Sequence, residues 1–398
     1  MTQQTDVAAS PASGRTPAHE GATPSTGRLI GVDLARGLAV FGMYAAHVGP
    51  DPGEGGVKGF LMELAHGQPS ALFAFLAGFA IVLITGRSVP KTGRAGRQAV
   101  AKVVMRALIL LAVGTALTMT GTPVEVILAF YGLYFLLVLP LYRLGSGPLA
   151  AIAAGAALLM PQVLYLVQGT VTDQGVPGLP GEPDGIISLL FTGSYPALTW
   201  VPFVIAGMAV ARLDLTSAVI RVRLAVTGAA LAVLGYGGSW LALHMVPGAL
   251  SALNEASWDG SAASVWWSDT AGYPSGDTPA WLLAASPHSE TTLSIVANTG
   301  VAILVLAACL IAVDSCPRLR AAARPVIAVG SMSLTAYVFH IVGIRLLGIE
   351  KLPGAPLHVL LGFIVAVTVF AVLWSRLFAR GPLEWLMAKD TGPARHIR

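Results

Sequence analysis

The chain has 398 residues, of which 55% are hydrophobic and only 11% charged; its mean hydropathy is +0.72 and its formal net charge +4. Soluble domains carry about 25% charged residues, so the composition excludes a soluble globular protein and predicts a polytopic membrane protein. No basic stripe lies outside the segments that abut a membrane, which excludes nucleic-acid binding, and Cys309 and Cys316 lack the spacing partners of a disulfide framework or a metal site.

Residues 1–27 are rich in Ala, Ser, Thr, Pro and Gly with almost no large apolar side chain. Such a segment cannot bury enough surface to fold, so it is expected to be a disordered cytoplasmic tail. It has no apolar core of a signal peptide, and the first hydrophobic segment is expected to act as its own insertion signal. Ten segments then have the roughly 20 mostly apolar residues that a bilayer-crossing helix needs: 30–48, 69–86, 99–119, 124–142, 148–167, 196–211, 223–246, 291–313, 325–347 and 356–377. The expected fold is therefore an all-α, polytopic integral membrane bundle of about ten transmembrane helices. Residues 28–387 form the membrane domain, and residues 388–398 a cytoplasmic C-terminal tail.

The connecting charges orient it. With the N-terminus inside, the even-numbered connections carry Arg87, Lys91, Arg94 and Arg97, then Arg143, then Arg212, Arg221 and Arg223, then Arg318, Arg320 and Arg324. The C-terminal end adds Arg376, Arg380, Lys389, Arg395 and Arg398, and of the 24 Lys and Arg only Lys58, Arg345 and Lys351 fall on the other side. Cytoplasmic loops retain Lys and Arg during insertion, which predicts an N-in, C-in multi-pass protein. The outer connections 168–195 and 247–290 are long, Gly/Pro-rich and acidic. The second holds Trp258, Trp266, Trp267, Tyr273 and Trp281, readable as an interfacial aromatic belt or as a lid that stacks on a flat acceptor.

Ionisable residues inside a membrane cost about 2.5–3.5 kcal/mol each at a helix centre and normally face protein or water. The first span, RLIGVDLARGLAVFGMYAAHVG, carries three. Asp33 lies three residues before Arg36, close enough to pair with it. His47 lies eleven residues beyond Arg36, about 16 Å along the helix and about 20° around it. Asp33 and Arg36 are either a structural pair at the inner boundary or, with His47, the working face of this helix. His66 precedes the second span at its outer side, and Glu125 opens the fourth, where a carboxylate also suits a helix N-terminus. Arg87 and Arg106 belong to a crowd of cations at the inner ends of the second and third spans. Arg106 lies deeper than topology requires and could meet a phosphate. In the ninth span, GSMSLTAYVFHIVGIR puts Ser333, Tyr337 and His340 on one helical face, as a site or as a polar seam between helices.

VDLARGLAVFGMYAAH resembles the first helix of membrane acyltransferases in which an Arg, ten residues and a His recur; Arg36 and His47 fit. GQPSALFAFLAGFAIVL, VEVILAFYGLYFLLVLP, YPALTWVPFVIAGMAVARLDL, GSMSLTAYVFH and RGPLEWL, in that order, resemble the domain-of-unknown-function 418 membrane family. That family is similar to the catalytic domain of heparan-alpha-glucosaminide N-acetyltransferase. The resemblance covers nearly all of residues 28–387 and leaves out the tail and the 247–290 loop.

The resemblance implies a bundle of ten or eleven helices in the cell membrane. It would move an acyl group, from acetyl-CoA or another cytosolic acyl-CoA, to a hydroxyl or amine of an acceptor on the far side, such as a glycan or envelope component. The co-substrate is acyl-CoA and no metal is implied. His47, then His66, would act as base; Arg36, held by Asp33, would position the donor or stabilise negative charge; Glu125 and His340 would complete the catalytic set. Arg106, Arg87 and Tyr337 would bind the donor. The partners expected are the lipid bilayer and a small-molecule or glycan acceptor, with no nucleic acid, and homo-oligomer formation is left open. The rival reading is a transporter or exporter of a small amphipathic solute, against which stands the placement of Asp33 and Glu125 toward opposite membrane edges.

Overall fold

The computed structural model describes residues 29–174, 185–256, 262–268, 278–350, 352–392 and 394, the side chains of 168–174 excepted. The expected disorder of residues 1–27 lies outside this set, as do Trp258, Tyr273, Lys351, Arg395 and Arg398. Among the described residues the structure is all-helical. In chain order the α-helices are α1 (Ile30–Val48), α2 (Gly56–Glu63), α3 (Gln68–Thr85), α4 (Gly93–Thr118), α5 (Ile127–Val138), α6 (Ser146–Gln174), α7 (Ala197–Ala211) and α8 (Ala218–Met245). They continue with α9 (Ala249–Ala256), α10 (Thr292–Ser315), α11 (Pro317–Ala322), α12 (Arg324–Ser331), α13 (Ser333–Leu346), α14 (Leu357–Leu377) and α15 (Pro382–Asp390).

Among the described residues six helical segments are long and apolar enough to cross a membrane: α2–α3 taken together, α4, residues 146–167 of α6, α8, α10 and α14. They divide into two layers. α3 is apolar on every side, as a helix surrounded by protein should be, and both α3 and α10 are mostly buried. α4, α6, α8 and α14 keep most of their surface turned outward. That surface carries Leu108, Leu158, Val226, Val233, Leu361 and Val369, an apolar exterior far too extensive for a water-soluble protein. α1 packs on α12, α3 and α10; α3 packs on α7; α10 packs on α8. Small residues allow these crossings where no hydrophobic drive between helices exists. A Cβ on Gly330 of α12 would overlap the Asp33 carbonyl of α1, and one on Gly207 of α7 the Phe75 carbonyl of α3.

Hydrogen bonds gather the helix ends at two poles. Arg212, at the end of α7, donates to the carbonyls of Gly86, Arg87 and Tyr142, uniting the ends of α3 and α7 with the turn after α5. Arg221 of α8 pairs with Asp314 of α10 at 2.5 Å. This pole carries most of the cations. At the other pole Gly354 N–H donates to the Gly49 carbonyl, and Arg345 Nε to the Thr120 carbonyl.

Four expectations change. The ninth span is not one helix: α12 and α13 meet at 86° around Met332, whose φ of −129° and ψ of 43° are not helical. Gly330, Ser331 and Ser333 around this joint are poor helix formers that favour caps and turns. α6 runs on to Gln174, well past the expected end, and α15 reaches Asp390, into what was expected to be tail. The described parts of 247–290 are folded as well. Trp281 is 1% exposed and centres a small core with Leu243, Leu253, Val265 and Ala284, so this tryptophan is neither belt nor lid.

Candidate active site

α1 runs between the two poles and presents a polar group to each. At the basic pole Arg36 Nη1 lies 3.5 Å from Asp33 Oδ1. Arg36 and Arg106 line one cavity of about 190 Å³ with Ser331, Ser333, Glu384 and Tyr131. The guanidiniums of Arg36 and Arg106 interact electrostatically there, so two cations share a pocket with a single carboxylate facing them. That carboxylate has a second duty. Glu384 of α15 accepts from the N–H groups of Leu334 (2.8 Å) and Thr335 (3.1 Å) and from Thr335 Oγ1 (2.6 Å). It therefore caps α13 where the chain break frees its first amides.

At the opposite pole His47 Nδ1 and His340 Nε2 are 2.9 Å apart and their rings are stacked. His340 is fully buried, its ring 4.6 Å from that of Tyr44 and 5.0 Å from that of Tyr337. Tyr44 Oη donates to the Ala336 carbonyl at 2.6 Å, which locks α1 against α13 at this level. Tyr337 Oη accepts from Ile127 N–H at 3.1 Å, tying α13 to the start of α5. Phe73 stacks on both Tyr131 and Tyr337. A ladder of rings thus joins the Arg36–Arg106 cavity to the imidazole pair.

Two further histidines, His66 and His288, are close enough to His47 to interact with it electrostatically. They are brought there by the loop before α3, where Gly67 (φ +76°) packs against Pro287; a Cβ in its place would lie 2.7 Å from the proline Cβ. His288 Nδ1 is 3.2 Å from the Ser194 carbonyl, and its ring stacks on Trp200. Glu290 accepts from Trp200 Nε1 at 2.9 Å and from Thr199 Oγ1. Burial pushes its carboxyl up to about 7, against the pull of those two donors.

The structure thus brings Arg36 and Arg106 to one cavity, with Asp33 paired to Arg36 beside it, and His47, His66 and His340 to one cluster with Tyr337 at its edge. Glu125 is exposed in the loop before α5, near Tyr337 but outside the Arg36–Arg106 cavity. Arg87 sits in the loop after α3, where its carbonyl serves Arg212 and its side chain lies near Asp214, away from the Arg36–Arg106 cavity. His288, Glu290 and Glu384 escaped sequence reasoning. Their signals were slight: SPHSET sets two ionisable residues directly before an apolar helix, and RGPLEWL encloses a lone acid. Among the described residues no group of three or more His, Cys, Asp or Glu is arranged to hold a metal ion.

These features define a multi-pass helical membrane protein with a polar seam running between its poles. The profile of the heparan-alpha-glucosaminide N-acetyltransferase catalytic family matches residues 28–243, more than half of the chain. The protein belongs to that family, a family of membrane acyltransferases. Residues 261–391 match a second family, described as a protein of unknown function, DUF418; this match begins inside the 247–290 loop, which sequence reading had left outside. The first match contains Arg36, His47, His66 and Arg106, the second His288, Glu290, His340 and Glu384, so the imidazole pair spans both. No curated protein matches the chain.

Proposed function

We propose that this protein is a membrane-embedded acyltransferase. It takes an acyl group, acetyl in the simplest case, from cytosolic acyl-CoA and passes it to a hydroxyl or amine on the far side of the cell membrane, on a glycan or envelope component. The reading is carried by one observation: α1 places Arg36 in a two-arginine cavity and His47, about 16 Å further along the axis, in an imidazole cluster. Ten spans, α1, α3 to α8, α10, the α12–α13 pair and α14, with both termini inside, fit the gathering of cations at one pole. The donor's phosphates sit with Arg36 and Arg106, and its pantetheine arm follows Phe73, Tyr131 and Tyr337 toward His47. His47 takes the proton of the acceptor O–H or N–H. The freed lone pair attacks the thioester carbonyl, the C–S bond breaks, and the leaving thiolate takes the proton back from the imidazolium.

The test is thermal protection of the full chain in nanodiscs. Acetyl-CoA bound to the native state should raise Tm. Arg106→Gln should weaken apparent affinity by about tenfold or more, equivalent to about 1.4 kcal/mol, whereas Arg318→Gln in the exposed short helix α11 should not. If saturating acetyl-CoA leaves Tm unmoved, the reading fails. The exporter reading would then lead, because a sharply broken helix such as α12–α13 is a device of transporters. Here, however, the freed helix end is capped by Glu384 of the same chain.

A further inference from the structure

Away from the polar seam, α6, α7, α8 and α10 enclose a groove of about 410 Å³, within the roughly 300–1,000 Å³ of small-molecule sites. Its lining is almost wholly apolar and much of it small: Gly147, Ala150 and Ala154 of α6 face Ala206 of α7, Leu231 of α8 and Ile303 of α10. α6 packs on α7 and α8 packs on α10, but α6 and α8 do not form a packed pair. The slot between them therefore opens sideways, between the surfaces on which Leu158, Leu159, Val226 and Val233 face outward. Only the hydroxyls of Ser146, Thr227 and Thr299 offer water a side-chain partner along these walls, so the groove suits a hydrocarbon chain entering from the bilayer better than it suits water.

The groove has a polar end. Ile295 lines it and also lines the cleft of His288, Glu290, Ser294 and Asn298, and His288 is within electrostatic reach of His47. The groove shares no lining residue with the Arg36–Arg106 cavity, so a chain lying in it does not belong to the donor bound there.

We infer that the groove between α6 and α8 holds the hydrocarbon chain of a membrane-borne acceptor, a single-chain amphiphile whose hydroxyl or amine is presented at the Ile295 end of the groove, on the side of His288 and Glu290. The inference rests on the acyltransferase reading and names its acceptor class. The head's proton goes to His47, its oxygen or nitrogen bonds the acyl carbon, and the CoA thiolate leaves with that proton, giving an acylated amphiphile and free CoA thiol.

The full chain in nanodiscs is exposed to a photoactivatable dodecyl glycoside, and the crosslinked residues are mapped. Label should fall on the groove faces of α6, α7, α8 and α10, and unlabelled dodecyl glycoside should displace it. Ala154→Phe fills the groove from its exposed rim without disturbing the core, and Thr227→Phe does so from the α8 wall. Each should cut labelling by about tenfold while acetyl-CoA still raises Tm as in the wild type. Labelling spread evenly over the lipid-facing helices and unchanged in both variants overturns the inference. So does displacement by a long-chain acyl-CoA but not by the glycoside, or a two-chain phospholipid found in the groove by native mass spectrometry. None of these outcomes alters the acetyl-CoA protection on which the parent reading stands.

Discussion

For His47 to take a proton through Nε2, its Nδ1 must carry the ring hydrogen and donate it to His340 Nε2, 2.9 Å away. His340 is then a positioning residue, held among the Tyr44 and Tyr337 rings, that selects one tautomer of its neighbour. His47→Ala should lower acyl transfer by about 10²–10⁴-fold with acetyl-CoA protection intact. His340→Ala should lower kcat and leave the KM for donor unchanged, and His340→Gln, which keeps an acceptor oxygen, should restore part of it. Wild-type transfer by His47→Ala would move the base to His66. Glu290 gives a residue-scale prediction on stability. Its folded pKa of about 7 lies above the ordinary value of 4.5, so the native state holds a proton that the unfolded chain has lost. The associated stability is fully present below pH 4.5 and disappears as pH rises through 7. Glu290→Gln can still accept from Trp200 and donate to Thr199. Its Tm should therefore fall less than the wild type's across that window; equal slopes would show that Glu290 does not titrate there.

α13 is the element on which both ends of the seam depend. Its first turn lines the Arg36–Arg106 cavity and its middle carries Tyr337 and His340. The break at Met332 would leave that first turn with unsatisfied amides, and α15 supplies the missing acceptor through Glu384. Glu384→Ala removes the cap and one carboxylate facing two guanidiniums. Loss of a cap costs about 0.5–2 kcal/mol, read as a lower Tm without ligand. Because the carboxylate also opposes incoming anions electrostatically, the same variant should bind acetyl-CoA no more weakly than wild type. Weaker binding would mean that α15 holds the donor rather than merely closing the cavity floor.

The molecule as a whole is polarised, with cations gathered at the pole that Arg212 ties together and the imidazole cluster at the other. With Cys316→Ser to remove the exposed native thiol, Arg94→Cys and Trp266→Cys should react with an impermeant maleimide from opposite sides of sealed vesicles. Arg94→Cys should be protected in right-side-out vesicles. Reaction of both from the same side would end the ten-span topology and the transfer across the bilayer with it.

By itself the sequence determined what composition and spacing along one dimension can carry. Each of the ten apolar segments contains a helix or, at 325–347, a helix pair, because a run of apolar residues in a bilayer must satisfy its own backbone. Family membership was legible for the same reason, since ordered motifs survive without any knowledge of contacts. Tertiary structure alone decided the rest. The hydrogen bond between His47 and His340 joins residues 293 positions apart. His288 and Glu290 reach the cluster only because the end of the 247–290 loop packs on Gly67. The bend at Met332 is stabilised by an acceptor 50 positions away in α15. Hydropathy reports how greasy a segment is; which side chain meets which is set by how close two backbones can approach, at residues such as Gly330 and Gly207, and that is a property of the packed bundle.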